Sequence, residues 1–204
     1  MNKALYFDMD GTMVDFYNQP NWLDSIIKGH TKPYREAKPL TNMRQLSKEL
    51  NALQALGFTI GIVTWVSKDC NDDYKRRIEK AKKDWLKNHL GSVVWDEIHV
   101  LDYGTNKSKS VEFPNGILFD DEESNREEWD GMAFDENSIF DVLEQIKVNL
   151  KALEMLQEYQ KVADGITAEA ENTINLLNDD FDRFCLDNNV DADLVLDMFY
   201  GEIE

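Results

Sequence analysis

The sequence predicts an α/β fold with a mostly parallel sheet, and three observations carry that prediction. Short apolar runs alternate with helix-period stretches up to about residue 137, the pattern of βαβ units. The residues with the most chemistry in them fall at or just past the C-terminal ends of those runs, where ligands bind in such sheets. At 204 residues, 42% hydrophobic and 30% charged, the chain is long enough for one soluble α/β domain with an appendage.

The elements follow in order. Residues 3–8 read as a buried strand that runs through Ala4-Leu5-Tyr6-Phe7 into Asp8-Met9-Asp10-Gly11-Thr12. Residues 13–40 contain Pro20, Pro33 and Pro39 and several aromatics, with room for a small flap whose helix would be Trp22 to Ile27. Thr41 is the expected N-cap of a helix over about 42–55, which Gly57 ends. Phe58 to Val63 forms a second buried strand closing at Thr64, and a basic helix follows over about 72–89. Glu97–Leu101 is a third strand, leading into a Gly104-Thr105-Asn106-Lys107 loop. Ile117-Leu118-Phe119 is a fourth, ending in Asp120-Asp121, and Met132-Ala133-Phe134 a fifth.

From residue 138 the pattern is helical only. Ser138 is the expected N-cap, with Asp141 three residues on. Ile139, Val142, Ile146, Leu150, Leu153 and Leu156 make one apolar stripe, which Asp164-Gly165 interrupts. Ile166, Ala170, Ile174, Leu177, Phe181 and Phe184 make a second, and a short helix over about 192–200 follows Asp191. The expected division is 1–137 for the α/β core and 138–204 for an acidic helical extension. Its stripes need a partner surface: the sheet core, each other, a second copy of the chain, or a protein partner.

Charge constrains the partners. The net charge is −18, and residues 151–204 carry −11 of it. So acidic a chain repels nucleic acid unless a local basic face overcomes the repulsion, which makes nucleic acid an unexpected partner. No apolar run approaches the roughly 18 residues of a membrane span. No secretory leader is visible, and the two cysteines, Cys70 and Cys185, are far apart and in no metal-like spacing, so a reduced cytoplasmic setting is expected.

Two carboxylates at the end of a buried strand are costly unless a metal or a reaction needs them. The ordered set of Asp8 to Thr12, Thr64, Lys107 and Asp120-Asp121 resembles the motif series of the haloacid dehalogenase superfamily of phosphohydrolases over about residues 3–135. That resemblance implies a three-layer α/β/α Rossmann-like core with the Asp8 strand central in a five-stranded parallel sheet, and the 13–40 interval is too short for more than a minimal cap. It implies that Asp8 is the nucleophile that forms an aspartyl-phosphate, and that Asp10 is the general acid and then base. Gly11 would permit the tight turn, Thr12 would assist by hydrogen bonding near Asp10, and both would stand among the substrate-binding residues. The Thr64 hydroxyl and the Trp65 backbone N–H would hold the transferring phosphoryl oxygens, and Lys107 would neutralise Asp8 and the phosphoryl group.

Asp8, Asp10 (through its carbonyl) and Asp121 would hold Mg²⁺. Lys109 is a second candidate for the lysine, although Lys107 follows the turn directly. In the family's commoner spacing Asp120 falls in a glycine position, and Asn125 replaces a last aspartate, which leaves Asn125 a supporting role.

The substrate expected is a small phosphomonoester. The first motif, continuing into Val14-Asp15-Phe16, is similar to that of the 5′-deoxyribonucleotidase branch, and Phe16, Tyr17, Trp22 and Trp65 could stack on a base. Alternatively these aromatics only pack the flap. An open site would also suit a nucleic-acid end or a phosphoprotein, with Lys75, Arg76, Arg77, Lys80, Lys82, Lys83 and Lys87 meeting a polyanion; the other reading of that run is a solvated helix face. A rival of a different class is a non-catalytic phosphate-recognising protein that works through its C-terminal helices.

Overall fold

The structure, a computed structural model, describes residues 3–164, 171–192 and 194–195. It divides into two compact units, residues 1–139 and 140–204.

The first unit is built on a five-stranded sheet of order β3-β2-β1-β4-β5. The strands are β1 (Ala4–Phe7), β2 (Thr59–Trp65), β3 (Glu97–Leu101), β4 (Ile117–Phe119) and β5 (Ala133–Phe134), and every neighbouring pair is parallel. Helices α3 (Met43–Ala55) and α4 (Asp72–His89) supply the crossovers around β2, and a short α5 (Glu123–Glu127) joins β4 to β5. This is the three-layer, Rossmann-like arrangement, with β1 central as expected.

Alternation along β1 splits the core between the two faces of the sheet. Ala4 and Tyr6 pack with Val63, Leu118 and Trp129 on one face. Leu5 and Phe7 turn to the other, where the Phe7 and Phe119 rings stack at 4.9 Å. Gly61 is required by this packing: paired with Tyr6, it lies under the ring, and a Cβ there would come 2.6 Å from Tyr6 Cδ1.

The flap holds two helices, α1 (Trp22–Ile27), at the expected residues, and α2 (Lys32–Glu36), which the sequence reading left irregular. The flap is fastened to α4: Trp85 donates from Nε1 to Ala37 O (2.8 Å), and Tyr74 donates from its hydroxyl to His30 O (3.0 Å). Its base is pinned under the first motif, where Leu40 N donates to Met13 O (2.9 Å).

Caps and ends differ from expectation at several elements: β1 spans Ala4–Phe7 rather than 3–8, and β5 begins at Ala133 rather than Met132. Asn42, not Thr41, caps α3, its side chain accepting from Gln45 N (3.1 Å). β2 runs on through Thr64 to Trp65. Ahead of α6 (Ile139–Asp164), Asp135 takes the capping role expected of Ser138: its Oδ1 accepts from Asn137 N, Ser138 N and the Ser138 hydroxyl.

In the second unit α6 is followed by α7 (Glu171–Asp187). Ala152 and Leu156 of α6 pack with Phe181 and Cys185 of α7 and with Val195, so these two stripes cover each other as a helical hairpin. Asp191 accepts from Leu194 N (3.2 Å) at the start of a further helical stretch. Gly165, Ile166, Ala170, the side chain of Ile174 and most of the helix expected over 192–200 lie outside the described residues. Among the described residues no helix is long and apolar enough to cross a membrane. Cys70 and Cys185 carry free thiols.

Candidate active site

The site forms because three strand ends meet. β1 passes its polarity to Asp8, whose backbone N–H still donates to Phe119 O on β4 (2.9 Å). The chain then folds tightly, with Met9 O accepting from Met13 N (3.0 Å) and Val14 N (2.8 Å). Gly11 makes the turn at φ 93°, and a Cβ on it would lie 2.2 Å from Asp121 Oδ2. The glycine is therefore needed twice, for its backbone conformation and for the space Asp121 occupies.

Thr12 locks the same two segments together. Its hydroxyl donates to Asp121 Oδ1 (3.1 Å) and accepts from Asp121 N (3.0 Å). This revises two expectations: Thr12 is spent on Asp121 rather than near Asp10, and neither Gly11 nor Thr12 lines the cavity.

Lys107 is the buried hub of the site. The residue is 4% exposed, and its ammonium donates to Asp8 Oδ1 (2.7 Å) and Asp120 Oδ2 (2.5 Å) and lies 4.9 Å from the centroid of the Trp65 ring. Burial by itself would lower its pKa, but the Asp8 and Asp120 carboxylates outweigh burial and raise it, so the ammonium stays charged. Lys109 is exposed and is not brought to the site. The loop that delivers Lys107 is strapped down by Trp65, which donates from Nε1 to Thr105 O (2.8 Å) and packs on Tyr103.

Asp120 is fully buried, and its oxygens also accept from Asn125 Nδ2 (3.1 and 3.2 Å) and Glu122 N (3.0 Å). Asp120 therefore positions Lys107, and Asn125 positions Asp120. Arg126 completes the arrangement by donating to the carbonyls of Asp120 (2.7 Å) and Asp121 (2.8 Å).

A second lysine belongs to the site, and the sequence reading missed its role. Lys82 of α4 is 1% exposed; it donates to Asp10 Oδ2 (2.8 Å) and Thr64 Oγ1 (2.8 Å). In the sequence it stands among the basic residues of α4. Of those, Arg76, Arg77, Lys80, Lys83 and Lys87 are exposed, whereas Lys82 is in phase with the buried Tyr74, Ile78, Trp85 and Leu86. That phase was the available signal: the helical period places Lys82 on the core face, where an ammonium needs a partner.

Four carboxyls and two ammonium groups thus share one strand-end cluster, and the surplus negative charge is felt. Asp10 is raised, first by burial, with Asp8 adding to it and Lys82 opposing it. Asp120 is pushed up to about 6 and Asp121 to about 7, each first by burial and then by the Asp8 carboxylate. Among the described residues no three His, Cys, Asp or Glu side chains form a ready-made metal cage. Mg²⁺ does not require one, since it takes one or two carboxylates and fills its other positions with water and phosphate oxygens. The hard oxygen donors here and their unbalanced charge fit such a cation.

The raised acids predict a pH dependence. A carboxyl raised in the folded state adds stability below its unfolded pKa of about 4, and that stability is lost as pH rises through the folded value. In chelator, the melting temperature of residues 1–139 is expected to fall between about pH 5 and about pH 8, more steeply than in Asp121→Asn. Added Mg²⁺ should raise it more at the upper end. A native slope equal to that of Asp121→Asn would refute the assignment.

Above the cluster lies a cavity of about 330 Å³. Asp8, Asp10, Thr64, Lys107, Asp120, Asp121 and Asn125 line its floor, and Phe16, Tyr17, Trp22, Tyr34, Trp65 and Tyr103 its walls. Phe16 is enclosed by Tyr17, Trp22 and Tyr34 at 5.5, 5.5 and 4.7 Å. It therefore organises the wall, while Tyr17 stands half exposed at the rim. Tyr34 and Tyr103 are wall residues that the sequence reading did not assign to the site. No family model, curated protein or solved structure matches the chain.

Proposed function

We propose that this chain is a Mg²⁺-dependent phosphomonoester hydrolase of the haloacid dehalogenase type, acting on a small substrate such as a nucleoside or deoxynucleoside 5′-monophosphate. One observation carries the reading: a strand-end carboxylate paired with a buried lysine (Asp8–Lys107) stands with a second carboxylate held beside a hydroxyl (Asp10–Thr64) on the floor of one cavity.

In the proposed reaction the substrate phosphate enters the floor, where Lys107 and the Thr64 hydroxyl hold its non-bridging oxygens. Lys107 fixes Asp8 Oδ1, and Oδ2 attacks phosphorus. The bond from phosphorus to the ester oxygen breaks as Asp10 gives that oxygen its proton, leaving an aspartyl-phosphate on Asp8 and a free alcohol. Water then attacks the same phosphorus and passes a proton to Asp10. The acyl phosphate bond breaks, and Asp8 is restored with release of inorganic phosphate. Asp8, the Asp10 carbonyl and Asp121 would hold Mg²⁺, which supplies charge neutralisation to the transferring phosphoryl group.

The aromatic walls support a planar leaving group such as a nucleoside, and the cavity volume is at the lower end of small-ligand sites. The basic face of α4 supports a small substrate over a polyanion, because much of its charge is already paired, as in Arg77–Asp73, Lys80–Asp84 and Lys83–Glu79. A cytoplasmic setting goes with this reading, supported by the two free thiols.

The test is phosphate release by the full chain from nucleotides, sugar phosphates, a phosphopeptide and 5′-phosphorylated oligonucleotides, with Mg²⁺ and with chelator. Metal-dependent release that favours nucleotides is expected. Preference for the peptide or the oligonucleotide would replace the substrate class. No release from any of them by folded protein would overturn the hydrolase reading and favour a phosphate-recognising binding protein.

A further inference from the structure

Lys82 has no part in the reaction as proposed, yet it is a charged group buried at the centre of the site. α4 presents a core-facing stripe of Tyr74, Ile78, Ala81, Trp85 and Leu86, and an apolar side chain would complete it. An ammonium there is costly unless its protons are well used.

Two of its three protons are accounted for, and both go to groups on the cavity floor: Asp10 Oδ2 and Thr64 Oγ1, each at 2.8 Å. Its ammonium also stands 5.5 Å from the centroid of the Tyr34 ring, which backs it. Lys82 itself does not line the cavity, so it acts through its partners.

The chemistry of those partners gives the contacts a direction. A lysine ammonium only donates, whereas a threonine hydroxyl has one proton and two acceptor lone pairs. With Lys82 donating to it, the Thr64 hydroxyl cannot return its proton to the lysine. The proton is left to point elsewhere, and Thr64 lines the cavity. The same ammonium ties down Oδ2 of Asp10 and leaves Oδ1 as the oxygen free to exchange a proton. One buried cation thus sets both a phosphoryl-oxygen donor on β2 and a proton carrier after β1.

We propose that Lys82 is a positioning residue of this site: its buried ammonium holds the Asp10 carboxylate and turns the Thr64 hydroxyl proton toward the bound phosphoryl group. This rests on the phosphohydrolase reading above.

The test is a double-mutant cycle on the full chain, with kcat and KM for phosphate release from the best substrate of the panel. The variants are Lys82→Met, Thr64→Val and the double variant, with a melting curve for each. Lys82→Met is expected to lower kcat about 100-fold and to change KM by less than about threefold, because an ordered donor matters most in the transition state. In the Thr64→Val background the same substitution should cost about tenfold or less, since one of the two groups that Lys82 orders is gone. Lys82→Gln, which keeps a donor, should recover part of the loss, and it replaces Lys82→Met in the cycle if that variant does not fold.

A kcat for Lys82→Met within about threefold of native would overturn the inference alone, as would a cost that is the same with and without the Thr64 hydroxyl. Absence of turnover by the native chain would overturn the hydrolase reading and this inference with it.

Discussion

Asp8→Asn is expected to lower phosphate release at least about 10⁴-fold and to leave the protein as stable as the native chain, or more stable, in chelator. The two effects have one origin. Asparagine has the shape of aspartate, and its carbonyl oxygen can still accept from Lys107, so the hub survives. What disappears is the charge that would attack phosphorus in the proposed reaction. The same charge raises Asp120 and Asp121, so its removal relieves repulsion in the folded state. Loss of activity together with unchanged or improved stability distinguishes a spent nucleophile from a damaged fold. Phosphate release and a thermal melt in chelator check both parts. A variant that retains activity within about tenfold of native would remove Asp8 from the nucleophile's role.

Much of the fold was legible because its elements are short, apolar and sharply bounded. β3 and β4 occupy the residues their hydrophobic runs mark out, Glu97–Leu101 and Ile117–Phe119. α1 and α4 likewise fall where the pattern puts them. α2 was hidden by Pro33, which reads as loop punctuation in a stretch already rich in proline, yet proline is tolerated in the first turn of a helix. The caps were less legible because Thr41-Asn42 and Asp135 to Ser138 each offer adjacent capping side chains, and only backbone geometry decides between them.

The site was legible as a set of strand-end residues but not as a wiring pattern. Motif spacing brings Asp8, Asp10, Thr64, Lys107 and Asp121 to one edge; it says nothing of which proton goes where. Thus Thr12 belongs to Asp121, Asp120 to Lys107, and Lys82 to Asp10 and Thr64. Lys82 was the costliest omission, and its cause is instructive. In a run of seven basic residues the eye reads charge, whereas the helical period separates the six on or near the surface from the one that is buried. Tyr103 was missed for another reason: a loop residue reaches the cavity wall only because Trp65 and the strapped 103–107 loop carry it there.

The largest effect on stability is expected at Lys107. Replacing it by methionine leaves Asp8 and Asp120 buried against each other without their shared cation. Removing one partner of a buried ion pair costs about 3–5 kcal/mol, far more than the pair contributes relative to an apolar replacement of both sides. The loss should appear in urea unfolding followed by tryptophan fluorescence. All 5 tryptophans lie within residues 1–139, so the signal reports the sheet unit alone.

The origin of that cost can be tested directly. If it is uncompensated charge, Asp120→Asn in the Lys107→Met background should recover part of the lost stability, although by itself it removes a favourable partner of Lys107. Lowering the pH toward about 5 should also narrow the gap between Lys107→Met and native, because Asp120, already pushed up to about 6 by burial and Asp8 against the pull of Lys107, is then protonated. If Lys107→Met unfolds within about 1 kcal/mol of native near neutral pH, the hub is not held by charge, and its geometry must come from the strapped loop instead.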